Sequence, residues 1–329
     1  MTLITLRDQG LYCRAGDFYI DPWKPVHRAL ITHAHADHAR TGHGHYLATH
    51  ASLPILRHRL GDDFQIRGVD YGEVVNLGAV EISFHPAGHV LGSAQIRVAS
   101  PNEVWVISGD FKRSPDPSCT PFEIVPCDHF ISEATFALPV YRWAPGRETV
   151  AEIFRWWQSH PGTSILFCYA FGKAQRILAE LARFTDRRVY LHGAMTELTR
   201  LYREQGVAMV PTKAVMDEEK TYPFSGDLVL APPSAHRSPW MKRFKQMRTG
   251  FASGWMRIRG NRRRRGYEHG FVLSDHADWP ALIDTIKATG ARKIWLTHGQ
   301  HEILARYLRE TLQLEAASLD RLQEREAAL

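Results

Sequence analysis

At 329 residues, 44% hydrophobic and 23% charged, the chain can bury a large core, in two domains or in one with a substantial insertion, and reads as a folded, soluble protein. No apolar run approaches the roughly 20 residues that span a bilayer, and the opening residues lack a signal-peptide pattern, so no membrane and a cytoplasmic location are expected. The four cysteines, Cys13, Cys119, Cys127 and Cys168, lie far apart without a Cys-x-x-Cys pair, which argues against a disulfide framework or a thiolate zinc site, while the net charge of +6 favours a polyanionic partner.

The first half alternates short strands with loops. Residues 11–20 have strand character and lead to Asp21; residues 29–32 form the next strand and run directly into His33-Ala34-His35-Ala36-Asp37-His38. Alternate side chains of an extended segment point the same way, so His33 and His35 can grip one cation while Asp37 and His38, one turn onward, reach a second. Ala34 and Ala36 keep that turn uncrowded. Further strands over 80–84, 94–98 and 104–108 bracket His89 in Ala87-Gly88-His89 and end in Ser108-Gly109-Asp110. Ligand types thus recur at strand exits, where loops on a common edge converge in space.

The middle of the chain changes rhythm. Helical spacing over 148–157 and 173–184 flanks a buried strand at 164–169, and the pattern continues through a strand at 190–191, a helix at 195–205 and a strand at 228–231. These features predict a smaller α/β module over roughly 139–259. After it, a strand at 270–273 leads to Ser274-Asp275-His276 and one at 293–297 leads to His298-Gly299, while residues 302–329 read as one or two amphipathic helices. Asp275 is expected to act as a cap or local hydrogen-bond partner. Six arginines, Arg257, Arg259, Arg262, Arg263, Arg264 and Arg265, stand just before the strand to His276, where a polyanion could be held by paired donors; Lys242, Arg243, Lys245 and Arg248 would extend that surface. Trp240 and Trp255 could stack on bases but are expected in the core. Gly172-Lys173 lacks the glycine spacing and following hydroxyl of a nucleotide-binding loop, which excludes an ATPase reading.

Asp21, His33-x-His35-x-Asp37-His38, His89 and Asp110 resemble, in order, the metal motifs of the metallo-β-lactamase superfamily. Glu133 in Ser132-Glu133-Ala134, His276 in Ser274-Asp275-His276-Ala277-Asp278, and His298 in Thr297-His298-Gly299 resemble the additional motifs of the β-CASP nucleases, and Tyr169 to Gln175 resembles the start of that family's inserted domain. The likeness runs from Asp21 to about Glu302 and is most similar to the bacterial DNA-ligase-associated exonucleases. It implies an α/β architecture: an αββα sandwich built from residues 1–138 and 260–329, with a smaller α/β β-CASP domain inserted at 139–259.

The resemblance also implies roles. His33, His35 and His89 would hold one divalent metal and Asp37, His38 and His298 a second, with Asp110 bridging both, Asp21 behind a ligand histidine, His276 at the scissile phosphate or leaving oxygen, and Glu133 orienting it. Asp37, Asp110, His276 and Glu133 would therefore carry the catalysis. Two cations roughly 3.5 to 4 Å apart answer the difficulty of phosphodiester hydrolysis, and imidazole with carboxylate suits zinc, or manganese, better than magnesium. The expected activity is DNA exonuclease action in repair, starting at a 5′ end, at the nucleoid and in functional association with a DNA ligase. A β-CASP ribonuclease is the alternative, because His298 is a residue the RNA-processing relatives retain; a small-molecule metallohydrolase and a noncatalytic nucleic-acid-binding protein are the readings from other classes.

Overall fold

In the computed structural model, which describes residues 2–258, 260 and 266–323, the chain divides into two units. Met1–Arg113, Thr120–Val140 and His276–Leu329 form the first; Ser114–Cys119 and Tyr141–Asp275 form the second. The first unit opens with a sheet in chain order: β1 (Ile4–Arg7), β2 (Gly10–Cys13), β3 (Phe18–Ile20), β4 (Arg28–Leu30), β5 (His45–Thr49) and β6 (Gln65–Val69). Pairing is antiparallel from β1 to β3 and parallel from β3 to β6. A second sheet begins with β7 (Val75–Leu77), β8 (Val80–Pro86), β9 (Ala94–Ala99), β10 (Val104–Ile107) and β11 (His129–Glu133).

The second unit carries its own sheet, made of β12 (Thr163–Phe167), β13 (Val189–Leu191), β14 (Thr212–Ala214), β15 (Leu228–Ala231), β16 (Met247–Ala252) and β17 (His269–Phe271) in the order β14-β13-β15-β12-β16-β17. Every pairing in it is parallel. Such a sheet needs cover on both faces, and β12 and β15 are accordingly buried at every position. The helices Gly146–Gln158 and Lys173–Leu181 supply Val150, Ile153, Ile177 and Leu178 to the core on one face. In the first unit, β18 (Lys293–Thr297) and β19 (Glu315–Ser318) complete the second sheet as β19-β18-β11-β10-β9-β8-β7.

Alternation along the central strands of that sheet decides the layering. Trp105, Ile107, Ile131 and Trp295 face a core shared with Ile4, Phe18, Leu30 and Val69 of the first sheet. Their neighbours Val106, Phe130, Ile294 and Leu296 face the opposite way, onto Leu282, Ile286, Leu304 and Leu308 of the helices Trp279–Thr289 and His301–Leu312. A period of two places successive side chains on opposite faces, so the sheet is apolar on both and lies between a sheet and a helix layer.

Strand direction positions the ligand residues. β8 is antiparallel to β9 and β9 to β10, so β8 and β10 point the same way, and β10, β11 and β18 are mutually parallel. Their C-terminal ends share one edge, followed by His89, Asp110 and His298, with Glu133 as the last residue of β11. In the first sheet, parallel β3 and β4 end just before Asp21 and His33.

Several boundaries differ from those read in the sequence. The main segment of the second unit runs from Tyr141 to Asp275 rather than over 139–259, with Ser114–Cys119 joining it, and it extends past 259 because β17 pairs with β16 through Gly250–His269, Phe251–Gly270 and Ala252–Phe271. Residues 11–20 are two strands joined by a turn. Among the described residues of the expected helical tail stands one α-helix, ended by Gln313 in a left-handed conformation (φ 56°), and then the edge strand β19, whose parallel partner β18 precedes that helix. No helix among the described residues is long and apolar enough to cross a membrane.

Gly78 occupies the two-residue turn between β7 and β8 at φ 58°, a sign of φ that matches the twist of a tight hairpin. An added Cβ would stand 2.3 Å from the Ala15 carbonyl oxygen. Gly78→Ala is therefore expected to lower stability by about 1–3 kcal/mol, read as a lower urea midpoint at unchanged slope; an unshifted midpoint contradicts the strained-turn assignment.

Candidate metal centre

Three groups of side chains meet at Asp110. His33, His35, His89 and Asp110 form one, His38, Asp110 and His298 a second, and Asp110, Glu133 and His276 a third, with the ligand atoms of each group within 4.8 Å of one another. His33 Nε2 and His89 Nε2 lie 3.0 and 3.1 Å from His35 Nδ1. Asp110 Oδ2 stands 3.5 Å from His33 Nε2, 3.6 Å from His38 Nε2 and 3.7 Å from His89 Nε2, while Oδ1 is 3.7 Å from His298 Nδ1. Gly109 makes this approach possible: at φ 54°, a Cβ there would meet Thr32 Cβ at 2.7 Å.

Neighbouring groups hold the rings in place. Asp21 Oδ1 accepts from the Thr32 backbone N–H (2.8 Å), and Oδ2 accepts from Thr32 Oγ1 (2.5 Å) and from His38 Nδ1 (2.7 Å). The hydrogen bond at Nδ1 sets the His38 tautomer and turns Nε2 toward Asp110. Glu133 works in the same way on His276. It accepts the Phe111 N–H on Oε1 (2.7 Å) and His276 Nδ1 on Oε2 (2.9 Å). Ser93 Oγ accepts from the backbone N–H groups of His89 and Val90, each at 3.1 Å, and buried Lys112 reaches the His89 carbonyl at 3.4 Å.

Electrostatics follow from that crowding. Burial opposes charge on Asp110, yet His38, His276, His89 and His298 hold its carboxyl well below the usual carboxylate range. Burial also opposes charge on His38, but Asp110 and Asp21 overcome it and raise the ring to about 10. His33 goes the other way: burial, then the repulsion of His38, His89 and His35, holds it neutral. His38 Nε2 and Asp110 Oδ1 are buried without a hydrogen-bond partner. Two such atoms beside the neutral His33 ring fit divalent cations, which accept this donor set once the His38 proton has left.

Most, but not all, of the residues picked out in the sequence gather here. Asp37 does not: its carboxylate is 68% exposed, 3.9 Å from His38 Nε2, and belongs to none of the three groups. Hydration favours that position over one beside the like charge of Asp110, so a ligand role requires the side chain to turn. Of the basic run, Arg257 is exposed at the end of the short turn Gly254–Arg257, and Arg259 and Arg262 to Arg265 lie outside the described residues. Arg248 stacks on Trp156 and Arg243 donates to the Glu218 carbonyl, so neither is a simple surface charge. Trp240 and Trp255 pack against the second unit's core. Lys173 is buried and pairs with Asp275 at 2.7 Å, and Arg176 binds the same carboxylate, so Asp275 is a partner of two buried cations far away in sequence rather than a helix cap. Thr32, Ser93 and Lys112 also support the site, and in the sequence each is marked by nothing more than its place near a ligand motif.

No protein-family model matches the chain. It is 30% identical over 311 residues to a probable DNA ligase of Opitutus terrae, a match covering 92% of this chain and 30% of that protein. It is 29% identical over 225 residues to a ribonuclease of Thermus thermophilus, covering 58% of this chain and 49% of that one. With cleavage and polyadenylation specificity factor 73 of Drosophila melanogaster the identity is 24% over 197 residues, covering 50% and 29%. The chain thus spans less than half the length of these relatives. A crystal structure of a protein of unknown function from Enterococcus faecalis V583 superimposes with a TM-score of 0.63 over 88% of this chain and 78% of that one, at 13% identity, a likeness of fold alone. Two sheets with a histidine and aspartate cluster at their common edge define a metallo-β-lactamase-type protein. Within that superfamily, the chain belongs to the β-CASP family.

A cation on His38 Nε2 must displace the proton that His38 holds up to about pH 10 in the metal-free protein. Metal binding is therefore expected to release protons and to tighten as pH rises from about 6 to 8, measured by calorimetry in buffers of different ionisation enthalpy; an affinity independent of pH would contradict the assignment.

Proposed function

We propose that the chain is a binuclear metal-dependent nuclease that hydrolyses DNA phosphodiesters, acting as an exonuclease from a 5′ end in repair and in association with a DNA ligase. The convergence of three ligand groups on Asp110 carries this reading. His33, His35 and His89 would hold one cation, His38, His298 and a turned Asp37 the other, and Asp110 both. Bound there, divalent cations supply charge neutralisation of the phosphate and a more acidic water; zinc suits the imidazole-rich set best, with manganese second. Asp21 keeps His38 in the metal-binding tautomer. With Nδ1 held by Glu133, His276 would use Nε2 to hydrogen-bond the phosphate or to hand a proton to the leaving oxygen. Arg257, Arg259 and Arg262 to Arg265 would hold the strand.

Support for DNA comes from the match to part of a probable DNA ligase, which takes in nearly all of this chain. RNA is the second reading, supported by the ribonuclease relatives and by His298 beside Asp110.

Matched 5′- and 3′-labelled DNA and RNA strands, incubated with purified protein and manganese or zinc, are expected to show stepwise loss of DNA from the 5′ end. Preferential RNA cleavage would reverse the ranking. Asp110→Asn should lower the cleavage rate by at least about a thousandfold while leaving DNA binding largely intact. Replacing Arg262 to Arg265 with Gln should weaken binding and reduce its salt dependence; unaltered affinity would remove those residues from the interface.

A further inference from the structure

Within the first unit, a cavity of about 90 Å³ adjoins the second ligand group. Ile20, Ile107, Ile131 and Leu319 line it, all buried, and so do His38 and His298, two of the side chains that face Asp110. Trp23 lines it too and is 41% exposed. Its indole Nε1–H donates to the Asp8 carbonyl at 2.8 Å, which orients the ring, and its backbone N–H donates to the Gln9 carbonyl at 3.0 Å, which holds the main chain beneath it. A large aromatic side chain held in one orientation while its surface meets water gives up side-chain entropy without full burial. What it gains is a pre-organised flat face.

The chemistry of the walls separates the two halves of a nucleotide. Branched aliphatic walls cannot replace the hydration of a phosphate, and the carboxylates of Asp21 and Asp37, which also line the cavity, would repel one, whereas His38 and His298 face Asp110 at the proposed metal position. Ser108 and Thr297 also line the cavity, and a hydroxyl can both donate to and accept from a base edge.

On the reading of the site as a nuclease centre, we propose that this cavity is a nucleobase subsite, in which the base of the nucleotide whose phosphate sits at Asp110 stacks on Trp23. Stacking tolerates any base, because every base has a π face. The subsite takes one base beside the reacting phosphate and contributes binding without joining the metal ligands.

Calorimetry on the manganese-loaded chain with deoxyadenosine 5′-monophosphate and with deoxyribose 5-phosphate tests this. The nucleotide is expected to bind at least about tenfold tighter than the sugar phosphate. Trp23→Ala should abolish that preference, Trp23→Phe should keep most of it, and sugar-phosphate affinity should be the same in all three, which also reports that the variants fold around an intact centre. Equal affinity for both ligands in the native chain, no binding of the nucleotide, or a preference that survives Trp23→Ala would overturn the subsite. Strand cleavage is scored separately: a chain that degrades nucleic acid without a base preference in the binding assay overturns the subsite alone.

Discussion

Asp110 is a carboxylate with almost no water around it, and the first unit is arranged to make that tolerable. A buried charge is costly unless opposite charge or a metal compensates it. Here the compensation comes from rings on three separate loops: His38 after β4, His89 after β8 and His298 after β18, with His276 nearby. The strands can deliver them because β8, β10, β11 and β18 point the same way, so their exits share an edge. Gly109 then lets the Asp110 loop touch Thr32. A different strand direction anywhere in this set would send one ligand to the opposite end of the sheet.

The rings around Asp110 are held by hydrogen bonds from behind rather than by the aspartate alone. Asp21 on His38 and Glu133 on His276 perform the same operation with different carboxylates: each fixes one ring nitrogen and so decides what the other can do. Because Glu133 also accepts the Phe111 N–H, one residue beyond Asp110, the loop that bears the central carboxylate and the ring at its side share a single anchor. Rigidity of this kind keeps donor atoms within reach of a cation before it arrives.

Buried ions also organise the second unit. Lys173 and Arg176 meet Asp275 and Asp116 with all four side chains almost fully enclosed. Lys173 Nζ also binds the Leu273 carbonyl and Arg176 Nη1 the Ser274 carbonyl, so the segment before His276 is fixed through both backbone and side chain. The strand, glycine turn, lysine and helix that look like a phosphate loop are used instead for an internal ion pair, with Gln175 closing the turn through the Gly172 N–H. Local geometry was the same; the partner differed.

His33, His35, His38, His89, Asp110 and His298, which the structure brings together, could be picked out from the chain alone as candidates because ligand chemistry is a property of side-chain type, and because a strand followed by a ligand type is a local pattern. Alternation in β10 and β18 and helical spacing over 148–157 and 173–184 were likewise readable, since periodicity needs no partner. What tertiary structure alone decided depends on partners far apart in sequence. Edge strands such as β19 exist only against a neighbour across an intervening helix. The placement of Asp37 in solvent, the burial of Lys173 against Asp275, and the fixing of Trp23 by the carbonyls of Asp8 and Gln9 are each set by what lies opposite in space. Desolvation and packing act on those spatial neighbours, and a linear sequence does not state who they are.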